Sequence, residues 1–224
     1  MSILYNLFGK MLLVIYQFVG NYGIAIIVFT IIAKLIQLPI TIKQTKSMQD
    51  SNKIQPEIQK LQKQYAKNRE KLNEETMKLY KEHGVNPMGS CLPLLIQFPI
   101  IIGLFTVLRN PAQYVFGTQA AYDAIQKSFL WIPSLGDKDP YFILPILAAV
   151  TTYFYMTNTP TQSAGNGQAQ SINKSMKIMS PIMIGYVAYI SPSGLGLYWV
   201  VQNILTYIQQ AIMLKGKKNP EGGQ

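Results

Sequence analysis

Long stretches of this sequence contain no charged residue. Residues 22–42 contain one charge, on Lys34, and residues 88–108 and 178–214 contain none. A helix rises about 1.5 Å per residue, so roughly 20 apolar residues cross the roughly 30 Å hydrocarbon core of a bilayer. The last run is interrupted by a turn sequence at 191–194, which predicts two helices instead of one. These runs predict a chain that lies largely within a membrane.

The composition disfavours several other classes of protein. Charged residues make up 13% of the 224 residues, against about 25% in typical soluble domains. A soluble protein that buries all these helices is the alternative, and it has too few polar residues to cover them. One cysteine cannot form an intramolecular disulfide, and one histidine disfavours a zinc site with several histidine ligands. The net charge of +10 suits an anionic membrane surface or nucleic acid.

We therefore predict an all-α polytopic membrane protein with five transmembrane helices. The predicted spans are residues 21–48, 87–109, 139–158, 172–190 and 195–214. Fifteen of the twenty basic residues lie in or beside three of the connecting segments, namely 49–86, 159–171 and 215–224. Because basic loops stay in the cytoplasm, these three segments are predicted to be cytoplasmic. Segments 110–138 and 191–194 are then extracytoplasmic, with the N-terminus outside and the C-terminus inside.

The N-terminal segment 1–20 is predicted to be an amphipathic helix on the outer membrane surface. Its polar residues recur at helical spacings: Ser2, Asn6, Lys10 and Gln17. The segment lacks the basic start and the small-residue cleavage site of a signal peptide. A sixth transmembrane span is the alternative.

Segment 49–86 has the pattern of a cytoplasmic helical hairpin. Two apolar stripes at helical spacing predict two helices, with Ile54, Ile58, Leu61 and Tyr65 in the first and Leu72, Thr76, Leu79 and Tyr80 in the second. Gly84 is predicted to cap the second helix, and Asn86 with Pro87 to open the next span. The hairpin is either a solvated link or a docking element whose basic excess meets lipid headgroups or ribosomal RNA.

Lys34 is the one charge placed deep within a predicted span. It precedes Lys43 by nine residues, about 13–14 Å of helix. A charge there costs at least about 2.5–3.5 kcal/mol, and no other span offers a carboxylate. We therefore predict a water-filled groove open to the cytoplasm, with the following polar residues beside Lys34: Gln37, Gln97, Gln202 and Asn203. The alternative is a lysine near a helix end in a thinned bilayer, without a functional role.

Three prolines are predicted to break the first two spans. Pro39 lies in the first span, and Pro93 and Pro99 lie in the second. Each proline removes a backbone donor and clashes with the preceding turn. Interrupted helices favour a groove over a tightly packed bundle.

The sequence lacks the motifs of common catalytic sites. It has no phosphate-binding glycine loop, and no Ser/His or Cys/His pairing at plausible depth. No acidic residue lies within an apolar run, which disfavours a proton-coupled transporter. We predict no enzymatic activity, cofactor, metal site or small-molecule substrate.

Three segments resemble motifs of the YidC/Oxa/Alb family of membrane protein insertases. These are residues 33–44 (AKLIQLPITIKQ), residues 81–87 with 91–100 (KEHGVNP and CLPLLIQFPI), and residues 196–203 (GLYWVVQN). They occur in the family's order and spacing over about residues 20–214. The short bacterial form, without a large extracytoplasmic domain, is the most similar type.

The resemblance implies a hydrophilic groove in the inner leaflet, lined by one basic residue of the first span. That residue is arginine in many members and Lys34 here. The resemblance also implies a substrate-sliding surface on the third and fifth spans. The residues at those positions are Tyr153, Tyr155, Met156, Leu197, Tyr198, Trp199 and Val201.

The function implied is a membrane protein insertase and chaperone of the bacterial cytoplasmic membrane. Such a protein binds nascent membrane proteins in its groove and releases their hydrophobic segments into the phospholipid bilayer, without nucleotide hydrolysis. The ribosome and the Sec translocon are further candidate partners. Two alternatives remain open at this point, an assembly factor without translocation activity and a small-molecule transporter.

Overall fold

The chain is helical apart from its loops. The computed structural model describes residues 2–85, 92–158 and 167–215. Within these ranges the helices are α1 (Ser2–Val19), α2 (Tyr22–Lys53), α3 (Gln55–Gln64), α4 (Arg69–Glu82), α5 (Leu92–Arg109), α6 (Pro111–Tyr114), α7 (Gln119–Asp123), α8 (Ile143–Asn158), α9 (Gly167–Ile190) and α10 (Ser193–Lys215). An isolated antiparallel bridge joins Phe129 to Ile132, and these ranges contain no strand. The all-α prediction is therefore confirmed.

The helix ends differ from the segment boundaries expected from the sequence. Helix α2 continues to Lys53, beyond the expected end of the first span at residue 48. Helix α9 begins at Gly167, inside the expected loop 159–171. A membrane-spanning helix can be longer than the bilayer is thick, so the end of a span need not be the end of a helix. The expected opening of the second span at Pro87 and the tail beyond residue 215 lie outside the described residues.

Two described helices, α1 and α2, have both the length and the mean hydropathy needed to cross a membrane. Shorter apolar stretches occupy residues 97–109, 143–157 and 175–190. Because α1 passes this test, its two predicted placements, on the membrane or across it, both remain open. The count of five spans stays a prediction.

The helices form two compact units. The first unit contains Met1–Ile36, Phe98–Thr159 and Ser180–Gln224, and the second contains Gln37–Gln97 and Pro160–Met179. Helices α2, α5 and α9 contribute residues to both units. In each of these helices a proline lies within three residues of the boundary between the two units. These prolines are Pro39 in α2, Pro99 in α5 and Pro181 in α9.

The prolines do not end their helices, which corrects the prediction that they break the first two spans. Helix α2 continues through Pro39, and α5 continues through Pro99. Pro93 lies at the start of the described part of α5. Near Pro39, the Thr41 hydroxyl donates a hydrogen bond to the Gln37 carbonyl oxygen, at 2.5 Å. This bond stays within α2 and joins residues on the two sides of Pro39.

One apolar core joins the helices of the first unit. Helices α8 and α10 form its most extensive helix pair. The apolar periodicity of each helix places large side chains on the inward face, where they are fully or almost fully buried: Leu12, Tyr22, Phe29, Leu104, Leu108, Leu144 and Tyr198. This packing holds α2, α8 and α10 in place around the polar residues described below.

Helix α1 packs against the rest of the first unit along one side only. At Gly9 a Cβ atom would lie 1.9 Å from the Tyr114 carbonyl oxygen, so the close approach of α1 to α6 requires glycine. Two other surfaces of α1 are exposed. Ser2, Asn6, Lys10 and Gln17 form a polar surface, and Ile3, Leu7, Val14 and Phe18 form an apolar surface next to it. The helix therefore has a packed side, a polar side and an exposed apolar side.

The segment 127–141 is bonded to the starts of α8 and α10. The buried Asp139 carboxylate accepts hydrogen bonds from the Trp131 indole at 3.1 Å and from the backbone nitrogens of Tyr141 at 3.1 Å and Leu144 at 2.6 Å. The Ser193 nitrogen donates to the Asp137 carbonyl oxygen at 2.7 Å. A carboxylate at a helix N-terminus satisfies donors that lack partners in the helix. These bonds fix the segment against both helices.

In the second unit, α3 and α4 pack against each other. Their contact buries Ile54, Ile58, Leu79 and Tyr80, which belong to the two predicted stripes. The Asn68 side chain accepts a hydrogen bond from the Lys71 nitrogen at 3.0 Å and caps α4. Gly84 follows α4 with φ of +62°, and the Val85 nitrogen donates to the Tyr80 carbonyl oxygen at 2.9 Å. The predicted glycine cap is confirmed.

Candidate functional site

Lys34 lies inside the first unit, where only 6% of its surface is exposed. Its Nζ donates a hydrogen bond to Thr206 Oγ1 at 2.7 Å, which links α2 to α10. Thr206 Oγ1 in turn donates to the Gln202 carbonyl oxygen at 2.6 Å. Over the described part of the chain, no carboxylate lies within salt-bridge distance of Lys34. A buried ammonium group without a counterion is unfavourable, so this lysine is held at an energetic cost.

The local sequence of α2 explains how Lys34 reaches this position. Thr30 precedes Lys34 by four residues, so both side chains lie on one face of the helix. Thr30 is fully buried, and its hydroxyl donates to the Ile26 carbonyl oxygen of its own helix at 2.7 Å. Thr30 therefore satisfies its own donor within α2, whereas Lys34 has to find its acceptor on α10.

Asn203 joins α10 to α8. Its side-chain amide donates to Thr151 Oγ1 at 3.1 Å and to Thr152 Oγ1 at 2.8 Å. The preceding residue, Gln202, is buried. Because Gln202 and Thr206 are four residues apart, they share the face of α10 that meets Lys34, and Asn203 lies on the neighbouring face. Helix α10 thus carries polar contacts to α2 and to α8. We call the following residues the Lys34 cluster: Lys34, Gln202, Asn203, Thr30, Thr151, Thr152 and Thr206.

The structure places the five predicted groove residues in different units. Lys34, Gln202 and Asn203 lie in the first unit. Gln37 and Gln97 belong to the second unit and are half-buried. Thr206 links Lys34 to the backbone carbonyl oxygen of Gln202, and Asn203 follows Gln202 on α10.

Sequence reasoning missed the threonines of the Lys34 cluster, namely Thr30, Thr151, Thr152 and Thr206. A signal for two of them was available, since Thr30–Lys34 and Gln202–Thr206 both have the i, i+4 spacing of residues that share a helix face. For Thr151 and Thr152 the sequence offers only a pair of hydroxyls within an apolar run. Threonine hydroxyls commonly bond to their own helix, so a threonine in a helix is only a weak indicator of a binding site.

The seven predicted sliding-surface residues have different environments. Tyr153 on α8 is 48% exposed, and Tyr155 and Met156 are half-buried. On α10 the side chains of Leu197, Tyr198 and Trp199 are buried in the apolar core, and Val201 packs against that core. In this conformation the α8 residues are accessible from outside, whereas the first three α10 residues hold helices together.

A broad apolar surface covers the outside of α8, α9 and α10 in the first unit. Its exposed side chains are Ile146, Leu147, Val150, Tyr153 and Phe154 on α8, Ile182, Met183, Tyr186, Tyr189 and Ile190 on α9, and Ile204, Tyr207, Ile208 and Ile212 on α10. Soluble monomers rarely expose contiguous apolar surface of this extent. Hydrocarbon chains are a suitable environment for it, and the soluble alternative is disfavoured.

The Lys34 cluster has the chemistry of a binding site. It combines one ammonium group with hydroxyl and amide groups, and a carboxylate or a carbonyl oxygen is the natural acceptor for the remaining donors of Lys34. Among the described residues, no group of three or more His, Cys, Asp or Glu side chains is placed to hold a metal ion. The arrangement suits recognition of a negatively charged or polar segment.

Comparison with known proteins places these features in context. The sequence model described as "60Kd inner membrane protein" matches residues 14–220. "Membrane protein insertase YidC" of Caldanaerobacter subterraneus subsp. tengcongensis is 42% identical over 214 residues, which cover 96% of this chain and 95% of that protein. "Membrane protein insertase MisCA" of Bacillus subtilis is 43% identical over 208 residues, which cover 90% of this chain and 74% of that protein.

One solved structure is similar over most of the chain. It is described as "Active YidC insertase crystal structure with the first transmembrane domain resolved", and it superposes with a TM-score of 0.68 at 30% sequence identity. The similarity covers 93% of this chain, which spans 45% of the length of that solved chain.

Proposed function

The chain belongs to the 60Kd inner membrane protein family, and on that basis we propose that it is a membrane protein insertase of the bacterial cytoplasmic membrane. It binds nascent membrane proteins in a hydrophilic groove open to the cytoplasm and releases their hydrophobic segments into the bilayer. No nucleotide is hydrolysed, because an apolar helix gains free energy on leaving water. The observation that carries the proposal is Lys34, a buried cation whose acceptor among the described residues is the neutral Thr206 hydroxyl.

The chemistry of Lys34 explains how the site attracts a client segment. An ammonium group has three donors, and one of them is used by Thr206 in the described structure. An acidic side chain of a translocating tail provides both the missing charge and further acceptors. The attraction is stronger in a low-dielectric surrounding than in bulk water, so one lysine suffices to hold a short polar tail partway across the membrane.

The helices support a topology of five spans. In this topology α2, α5, α8, α9 and α10 cross the membrane, and most basic residues lie in the cytoplasm. Helix α1 lies on the outer surface because its polar and exposed apolar sides run next to each other along its whole length. A helix with two such sides sits favourably in the interface, with one side in water and the other in lipid.

Release of the client is assigned to the exposed apolar surface of α8. Tyr153 and Phe154 present aromatic rings on this surface, and Tyr155 and Met156 lie next to them. An apolar client helix exchanges contacts with these side chains for contacts with lipid at little cost, since both surroundings are apolar. Leu197, Tyr198 and Trp199 support the surface from within by packing α10 against its neighbours.

The paired helices α3 and α4 are assigned to the cytoplasmic side. The segment from residue 43 to residue 86 carries ten basic and six acidic residues. This excess suits docking to lipid headgroups, or to the ribosome during synthesis of the client. The Sec translocon is a further candidate partner.

Reconstitution into liposomes tests the insertase function. The client is a single-span protein with an acidic N-terminal tail, and the readout is protection of the tail from external protease. Lys34→Arg is expected to retain insertion, because the charge is kept. Lys34→Gln is expected to lose most of it, and Lys138→Gln, at an exposed lysine, serves as the matched control. Insertion no better than in protein-free liposomes would refute the function, and equal insertion by parent and Lys34→Gln would refute the electrostatic role.

A further inference from the structure

A second feature of the first unit is an apolar groove between α1 and α2, separate from the polar Lys34 cluster. A groove of about 310 Å³ lies between α1 and α2, and the surface that lines it is wholly apolar. Its lining residues are Leu7, Lys10, Met11, Val14, Ile15 and Ile32. Leu7 and Val14 belong to the exposed apolar side of α1, so the groove opens on the side of α1 that faces away from the core.

Lys10 gives this groove a charged edge. It contributes to the apolar lining through its hydrocarbon stem, and the residue as a whole is exposed. A lysine in this position covers apolar surface with its stem while its ammonium group remains in a polar environment. In the described ranges no carboxylate lies within salt-bridge distance of Lys10. The charge is therefore available to an anion from outside the chain.

We propose that this groove is a binding site for one anionic glycerophospholipid of the outer leaflet. One acyl chain lies along Leu7, Val14 and Ile32, and the headgroup phosphate pairs with the ammonium group of Lys10. A surface groove whose exposed lining is apolar suits a hydrocarbon chain, and a cation at its edge suits the negative group attached to that chain. No other ligand class combines a long apolar tail and an adjacent phosphate so directly.

The geometry of α1 agrees with this occupant. The polar side of α1, which includes Lys10, and the exposed apolar side, which lines the groove, are adjacent. A phospholipid has the same order of groups, with a polar head at the interface and chains beneath it. Binding of the lipid would fasten α1 to α2 from outside, whereas the contact at Gly9 fastens α1 to α6. The site goes beyond the insertase function, and its assignment to the outer leaflet rests on the proposed placement of α1.

Native mass spectrometry of the purified full chain tests the proposal. The protein is titrated with dioleoyl phosphatidylglycerol and, separately, with dioleoyl phosphatidylcholine, and the affinity of the first bound lipid is measured. The parent is expected to prefer phosphatidylglycerol. Lys10→Gln is expected to lower that preference about fivefold, the effect of one lysine near an anionic surface. Lys138→Gln removes an exposed lysine outside the groove and is expected to leave the preference unchanged.

A second variant tests the acyl-chain contact separately. Val14→Trp fills the groove at an exposed position, so it is expected to keep the fold and to weaken both lipids severalfold. The proposal is overturned if Lys10→Gln leaves the preference intact, or if Lys138→Gln lowers it equally, because binding would then reflect net charge only. Undiminished binding of both lipids by Val14→Trp would overturn it as well, because the groove would not hold the chain.

Discussion

Two buried charged residues of the first unit differ in how completely they are neutralised. Asp139 accepts three hydrogen bonds, from Trp131 and from two backbone nitrogens near the start of α8. Lys34 donates one hydrogen bond, to Thr206. Neither residue has an ion-pair partner among the described residues. Within the described ranges, the carboxylate is satisfied by the chain itself, whereas the ammonium group donates to a single acceptor.

This difference separates a structural charge from a functional one. A buried charge that is fully hydrogen-bonded holds its neighbours in place and has nothing left to offer a ligand. A buried charge that is only partly bonded destabilises the resting protein and gains most when a ligand completes its contacts. On this view Asp139 stabilises the fold around segment 127–141, and Lys34 serves the client.

The largest expected effect is on stability, at Asp139. Asp139→Ala leaves the Trp131 indole and two backbone nitrogens without their acceptor, and is expected to lower the free energy of unfolding by about 3 kcal/mol. Denaturant unfolding in detergent micelles measures this. Asp123→Ala, at an exposed aspartate, is the control and is expected to change little. An equal loss of stability in Asp139→Ala and Asp123→Ala would contradict the structural role of the buried Asp139.

Lys34→Met is expected to act in the opposite direction. Replacing an incompletely bonded buried charge by an apolar side chain of similar size is expected to leave stability unchanged or to raise it by about 1–2 kcal/mol. Insertion of an acidic client should nevertheless fall about tenfold or more. Unfolding and liposome insertion are measured on the same preparation. A loss of stability as large as that of Asp139→Ala would mean that Lys34 is structural too.

Asn203→Ala tests the neutral part of the Lys34 cluster. The variant removes the hydrogen bonds to Thr151 and Thr152, and bonds between membrane helices average about 0.6 kcal/mol. A loss of that order is expected in the unfolding experiment, with Asn203→Gln as a variant that keeps the amide. A loss of several kcal/mol would show that the α8–α10 contact depends on polar bonds more than on apolar packing.

The smallest effect is expected at an exposed ion pair on α4. Glu74 and Lys78 lie 2.9 Å apart, and the hydrogen bond and charge of Lys78 lower the pKa of the Glu74 carboxyl. The pair therefore contributes stability above the ordinary carboxyl pKa of about 4.3, and that contribution is lost as the pH falls through the lowered value. Lys78→Gln should raise the pKa of Glu74, as followed by NMR titration. Lys81→Gln should not, and an identical shift in both would show that the effect comes from net charge.

The sequence predicted the helices better than their environment. Apolar periodicity predicted the stripes of α3 and α4, and glycine chemistry predicted the cap at Gly84, because both depend on neighbours within a few residues. The proline prediction failed because it, too, considered only residues within a few positions of each proline. Local sterics disfavour Pro39 and Pro99 within a helix, but the surrounding structure keeps α2 and α5 continuous.

The predicted site was recovered unevenly. Lys34 stood out because a charge in an apolar run is unusual wherever the helix packs. Thr206 did not stand out, although it provides the acceptor for Lys34, because threonine is common in helices of every kind. Leu197, Tyr198 and Trp199 were expected on a substrate surface, and periodicity alone does not tell which side of an apolar helix meets lipid and which meets other helices.

The sequence by itself determined the class of protein, the helices and the isolated charge of Lys34. These follow from the free energy of transferring apolar and charged groups, which depends on composition and local spacing. Only the tertiary structure decided that Lys34 meets Thr206, that Asp139 is satisfied by three donors, and that α1 and α2 leave an apolar groove beside Lys10. These contacts join residues far apart in the chain, and hydrogen bonds and close packing depend on distances that the order of residues does not specify.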